Sequence, residues 1–244
     1  MILLLFFAAP EAQAHQPEDL CRNDDVLTEM FCRYLVIIDQ VGPLIDETGD
    51  PLSGGEVLLQ FGIAGVMHIL PGGTDHILFV LALFLTSRRC RTLLLQISAF
   101  TVAHTATLAM TASGILDPPA SVVEPLIALS IAAVALEVFL RRSSEQWKLA
   151  VVFGFGLFHG MGFAGFVREL GLPQDQFWPA LIGFNIGVEV GQLAVVALAV
   201  LLAGPIKREL AQEGHSYDRM IVKPAALLIA AIGLWWFISR VFGG

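Results

Sequence analysis

Four histidines, His68, His76, His104 and His159, and two carboxylates, Asp75 and Glu189, stand inside the most apolar parts of this chain. Such groups are costly in hydrocarbon unless paired or hydrated, so ionisable residues within membrane segments are functional candidates by default. Imidazole together with carboxylate suits zinc, nickel, cobalt or iron, and suits magnesium or calcium poorly. Asp75 beside His76 supplies either a mixed ligand pair or a carboxylate that orients its neighbour's ring. Between the first two histidines, in His68-Ile-Leu-Pro-Gly-Gly-Thr-Asp-His76, lies a helix-breaking Pro71-Gly72-Gly73. A break at membrane depth frees carbonyls and helix ends, an arrangement secondary transporters use to hold ions. The pattern predicts an intramembrane metal site drawn from His68, Asp75, His76, His104, His159 and Glu189.

The elements that must position these residues follow from composition. Of 244 residues, 56% are apolar and only 15% charged, against about a quarter charged in soluble domains. Apolar segments run over about 56–87, 92–112, 121–140, 148–168, 177–203 and 221–242, and about 20 such residues span a bilayer. The expectation is an all-α, polytopic membrane helical bundle. Residues 56–87 are too short for two spans and read as one span broken at Pro71-Gly72-Gly73. That gives six spans in seven helical pieces.

Charge sets the expected orientation. Arg88, Arg89 and Arg91 form one basic cluster, Arg141, Arg142 and Lys148 a second, and Lys207, Arg208, Arg219 and Lys223 a third. The alternate connections, 113–120 and 169–176, hold no lysine or arginine. The positive-inside rule places the basic connections in the cytoplasm of a bacterial inner (plasma) membrane, with the N-terminal segment exported. Residues 1–14 read as a signal peptide ending in Ala-Gln-Ala, and 15–55 as a short acidic exported segment before a transmembrane bundle over 56–244. Between His15 and Glu56 stand ten acids and two arginines, which carry the whole net charge of −8. Cys21 and Cys32 fall in this exported stretch, where a disulfide can persist, and sequence leaves two thiols equally open. No basic cluster suggests nucleic acid; the partners expected are the lipid bilayer and a metal ion.

Within the fifth segment, Asn185, Glu189 and Gln192 share one helical face at i, i+4 and i+7. Gly183, Gly187 and Gly191 repeat on the opposite face, suited to close approach of a neighbouring helix. One face is expected to support the polar site while the other packs. Ser98, Thr101 and Thr105 read as interhelical hydrogen bonders, Glu124 and Glu137 as structural rather than ligands, and His215 as solvated.

At these residues the chain resembles the HupE/UreJ family, membrane proteins associated with hydrogenase and urease maturation and described as nickel or cobalt permeases. The matching stretches are GIAGVMHILPGGTDHILFVLALFL, AFTVAHTATL, VEPLIALSI, FGFGLFHGMGFAG and FNIGVEVGQ, spread over about 56–195. The resemblance implies that His68, Asp75 and His76 form a histidine-aspartate metal signature, completed by His104, His159 and Glu189. Six residues separate His68 from Asp75 here, where the more familiar nickel-permease signatures have four or five. The leading functional expectation is transport of a divalent transition metal ion, nickel or cobalt before zinc. The rival is an intramembrane zinc-dependent hydrolase of a lipid or peptide, with Glu189 or Asp75 as general base. A third reading is a membrane accessory subunit that does not transport.

Overall fold

The structure is a computed structural model that describes residues 50–87, 89–140, 144–162 and 176–243. The chain divides into two units, Met1–Asp50 and Pro51–Gly244, and all the described residues except Asp50 belong to the second. The expected signal peptide, almost all of the acidic segment, the Cys21–Cys32 pair, and Arg88, Arg141 and Arg142 lie outside the described residues.

The regular elements among the described residues are helices: α1 (Gly54–Ile69), α2 (Thr74–Thr86), α3 (Cys90–Ala112), α4 (Ala120–Leu140), α5 (Glu145–Gly162), α6 (Phe177–Gln212) and α7 (Lys223–Phe242). A π-helical turn, Asp218–Val222, leads into α7. Hydropathy predicts seven helical pieces with a break at Pro71-Gly72-Gly73, and that is where α1 gives way to α2 with a bend of 71°. Three helices, α3, α4 and α6, are long and apolar enough to cross a membrane, as is the stretch Asp218–Phe242; the bent α1–α2 pair makes a fifth as one span. Helix α5 is not among them. It opens on Glu145, Gln146 and Lys148, and the rest of the 148–168 segment lies outside the described residues.

Local chemistry explains the boundaries. Helix α1 begins at a capping box: the Glu56 amide donates to Ser53 Oγ and the Ser53 amide to Glu56 Oε2, which satisfies two amides that the first turn leaves bare. Gly114 ends α3 with φ +73° and Gly214 follows α6 with φ +76°, the left-handed conformation that glycine adopts without steric cost. One expected boundary is corrected. The fifth segment, read as 177–203 and followed by a basic loop, continues as helix to Gln212 and carries Lys207 and Arg208 on its last turns. Pro205 removes one amide but does not stop the helix. At about 1.5 Å per residue its 36 residues reach about 54 Å, beyond a hydrocarbon core of about 30 Å, so its last turns extend past any single span.

Glycines decide which helices meet most closely. A Cβ on Gly183 or Gly187 would run into the carbonyl oxygens of Leu58 or Gly62, and one on Gly191 would lie 2.7 Å from Ile69 Cβ. The glycine face of α6 is therefore closed against α1, as its spacing predicts. Gly156 and Gly160 of α5 likewise approach Phe100 and His104 of α3, and Gly233 of α7 approaches Ala128 and Ala132 of α4. Helix α2, short and central, touches α3, α4, α6 and α7. Dispersion and close backbone approach hold such interfaces, since lipid supplies no hydrophobic drive between helices.

Candidate metal centre

The break brings the first two histidines face to face. His68 sits in the last turn of α1 and His76 in the first turn of α2. Their ring centroids are 4.8 Å apart. Gly73 makes this reversal possible, because a Cβ there would fall 2.5 Å from the His68 carbonyl oxygen and 3.4 Å from His76 Nδ1. Helix α3 adds His104 and α5 adds His159, with centroids 5.7 Å and 5.0 Å from that of His76. His76 is thus the hub of four imidazoles. His76, His104 and His159 are 3%, 0% and 1% exposed, whereas the Asp75 side chain keeps 27% of its surface.

Hydrogen bonds favour one tautomer for three of these rings. Ser130 gives its single hydroxyl proton to the Ile127 carbonyl at 2.7 Å, so its oxygen can only accept from His159 Nε2 at 3.0 Å. Asn185 donates its amide to the Leu181 carbonyl at 2.8 Å, which turns Oδ1 toward His104 Nδ1 at 3.4 Å. Asp75 Oδ1 accepts from the His76 backbone amide at 2.9 Å and lies 3.1 Å from His76 Nδ1. An acceptor on one ring nitrogen favours the proton there and the lone pair on the other. Those other atoms, His76 Nε2, His104 Nε2 and His159 Nδ1, are buried and have no hydrogen-bond partner among the described residues. Buried polar atoms are rarely left so. A side-chain acceptor on one ring nitrogen and a bare lone pair on the other is how histidines that ligate metals are usually held.

Two groups of side chains could hold an ion: His68, His76 and His104, and Asp75, His76 and His159. Within each, the ligand atoms lie within 4.8 Å of one another. Ligands about 2.0–2.1 Å from a metal stand roughly 3.4 Å apart in a tetrahedron, so closing either group takes side-chain movements of about an ångström. Aromatic rings seal the surroundings. Phe79 and Phe100, both fully buried, pack with centroids 4.9 Å apart and flank His159 at 5.2 and 5.0 Å, while Phe184 lies 5.5 Å from His68. Burial among these rings strengthens charge interactions at His76, His104 and His159.

Five of the six expected ligands, His68, Asp75, His76, His104 and His159, come together. Glu189 does not join either group; its carboxylate accepts from Ser98 Oγ at 2.8 Å. The supporting residues Asn185 and Gln192 face α3 as their spacing implies, Asn185 toward His104 and Gln192 toward Thr101 at 3.1 Å. Thr105 departs from its expected role: its hydroxyl returns to the Thr101 carbonyl of its own helix at 2.6 Å. Glu137 pairs with Lys148 at 3.0 Å and Glu124 approaches Arg240 at 3.9 Å, both outside the cluster. Sequence reasoning misses Ser130, the acceptor for His159. Its only signal is a hydroxyl in the middle of an apolar span, which usually bonds its own helix.

The model described as HupE / UreJ protein matches residues 47–240. The chain belongs to the HupE/UreJ family. The match covers every described helix almost in full, including all five clustered residues. No curated protein and no solved structure matches the chain. This HupE/UreJ protein is an integral membrane protein whose helices gather a histidine-aspartate cluster able to hold a metal ion.

Proposed function

We propose that this HupE/UreJ protein carries a divalent transition metal ion, nickel or cobalt, across the bacterial inner membrane. The observation that carries the reading is the convergence of three buried imidazoles, each with one nitrogen tied to an acceptor and the other presenting a bare lone pair. Nitrogen ligands with a single carboxylate and no thiolate suit these borderline metals. They also hold weakly enough to release, which conduction requires. Asp75 keeps 27% of its side-chain surface where His76 keeps 3%, and its carboxylate is the ligand we assign to the ion's entry. His76 belongs to both ligand groups, so the ion passes from Asp75, His76 and His159 to His68, His76 and His104 without ever losing that ligand. By the positive-inside rule the basic connections face the cytoplasm, so movement from the exported side is uptake.

The zinc-hydrolase reading is less well supported. It needs a carboxylate free to act as general base on metal-bound water. Glu189 stands outside both ligand groups, on Ser98, and Asp75 is itself a ligand in one of them.

The test is uptake of nickel and of cobalt into proteoliposomes loaded with a metal-quenched dye. Wild-type protein is expected to quench the dye, and Asp75→Asn and His76→Ala to reduce the rate to that of protein-free vesicles. Metal bound by the purified protein with no uptake would overturn the transport reading.

A further inference from the structure

Three of the clustered histidines stand one turn from three phenylalanines. On α2, Phe79 follows His76 by three residues; on α3, Phe100 precedes His104 by four; on α5, Phe155 precedes His159 by four. At about 1.5 Å per residue these offsets are about 4.5–6 Å along each helix. All three point the same way. The ring pairs His76–His104 and Phe79–Phe100 run in opposite senses along α2 and α3, so these helices are antiparallel. Gly156 lies against Phe100 and Gly160 against His104, so α5 runs parallel to α3. Each phenyl ring is therefore displaced from its imidazole toward the helix ends at which Arg89, Arg91 and Lys148 stand, the ends that the positive-inside rule reads as cytoplasmic.

The phenyl rings form a layer beside the imidazoles. Phe79 has its centroid 4.9 Å from that of Phe100 and 6.3 Å from that of Phe155. Phe100 lies 5.8 Å from His76, 6.1 Å from His104 and 5.0 Å from His159, so one phenyl ring borders all three. Three or four residues further toward the basic ends come Leu83, Ile97 and Val152, all buried. Neither set of positions gives an ion a side-chain ligand. On the other side of His76 along α2 stands Asp75, with 27% of its side-chain surface open. The centre thus has a carboxylate on one side and two successive apolar turns on the other. Hydrophobic constrictions of this kind gate ion pathways by dewetting.

We infer that Phe79, Phe100 and Phe155 are the gate on the release side of the histidine centre, shutting the way to the basic ends while an ion is bound and parting to let it out. The inference rests on the transport reading and names the residues that keep the centre from opening to both sides at once. Entry at Asp75 and exit past the phenyl layer put His76 between the two, in keeping with its place in both ligand groups. The phenyl rings ligate nothing, so the gate is separable from binding. Truncating a ring leaves the imidazoles and Asp75 in place and removes the seal. An ion that imidazole holds poorly, such as magnesium, then has a wetted path past the centre.

The experiment measures entry of nickel and of magnesium into proteoliposomes holding a dye for each ion, for wild type, Phe79→Ala, Phe100→Ala, Phe155→Ala and Phe100→Leu. Nickel titration of each purified protein identifies the variants with an intact centre. Wild type is expected to admit nickel and to keep magnesium entry at the rate of protein-free vesicles. Alanine variants that bind nickel are expected to admit magnesium, whereas Phe100→Leu, which keeps an apolar side chain at the constriction, stays magnesium-tight. A packing role alone would move nickel affinity without opening a magnesium leak. Phe155 is half-buried, so its truncation spares the fold where loss of Phe79 or Phe100 does not, and Phe155→Ala then decides. Magnesium-tight alanine variants with wild-type nickel binding, or a wild type that admits both ions, would overturn the gate and leave transport intact. Loss of nickel binding in every variant would make the layer part of the binding centre and overturn its separate role. No nickel uptake by wild type would overturn the transport reading and the inference with it.

Discussion

At His159 the direction of one proton decides what the ring can do. Ser130 spends its hydroxyl proton on Ile127, accepts from Nε2, and so leaves Nδ1 as the atom that faces the cluster. Ser130→Ala removes the acceptor without touching a ligand, and partners of this kind are worth about 10–100-fold in metal affinity. We expect nickel affinity, measured by equilibrium titration of the purified protein, to fall by about that much, with the fold unchanged. An unaltered affinity would mean that His159 is not a ligand. The histidines and Asp75 are legible in the sequence because ionisable residues are so rare in apolar segments. Ser130 is not, because a lone serine in a helix usually satisfies itself, and this one does that as well. Glu189 is legible as a polar residue on the right face of α6. Which helix it meets, and that it meets Ser98 instead of the imidazoles, depends on how α3 and α6 cross.

Among the elements, α6 shows how a single helix can serve two neighbours. Its glycine stripe predicts a packing face and its polar stripe a site face, and the structure sets α1 on the first and α3 on the second. Gly187 lies against Gly62 and Gly65 of α1, whereas a Cβ on Gly204 would meet nothing within 4 Å. Gly187→Ala is therefore expected to destabilise the protein by about 1–3 kcal/mol, the usual cost of forcing extra volume into a close interface. It should also weaken nickel binding, since His68 rides on α1. Gly204→Ala should change neither. Thermal unfolding in detergent with and without nickel distinguishes the two, and equal effects would contradict the assigned faces. The end of α6 is hidden from the sequence for a physical reason. Gly204-Pro205 marks a stop inside a protein core, but one lost hydrogen bond does not end a helix whose last turns extend past any single span.

For the whole molecule, the seven helical pieces and the break at Pro71-Gly72-Gly73 are legible in hydropathy and in the helix-breaking residues. What hydropathy cannot supply is convergence. His68 and His76 are neighbours in sequence, but His104 and His159 reach them only because Gly156 and Gly160 let α5 close on α3 and because α2 is threaded through the centre of the bundle. The membrane body brings rings from four helices to one point, and every functional step proposed for it begins with a metal ion binding there. X-ray absorption at the nickel edge of the purified, nickel-loaded protein observes that binding without intermediaries. Binding at the histidine centre gives at least three imidazole nitrogens at about 2.1 Å with their outer-ring scattering, at least one oxygen, and no sulfur. A shell of oxygen ligands without imidazole scattering would contradict it.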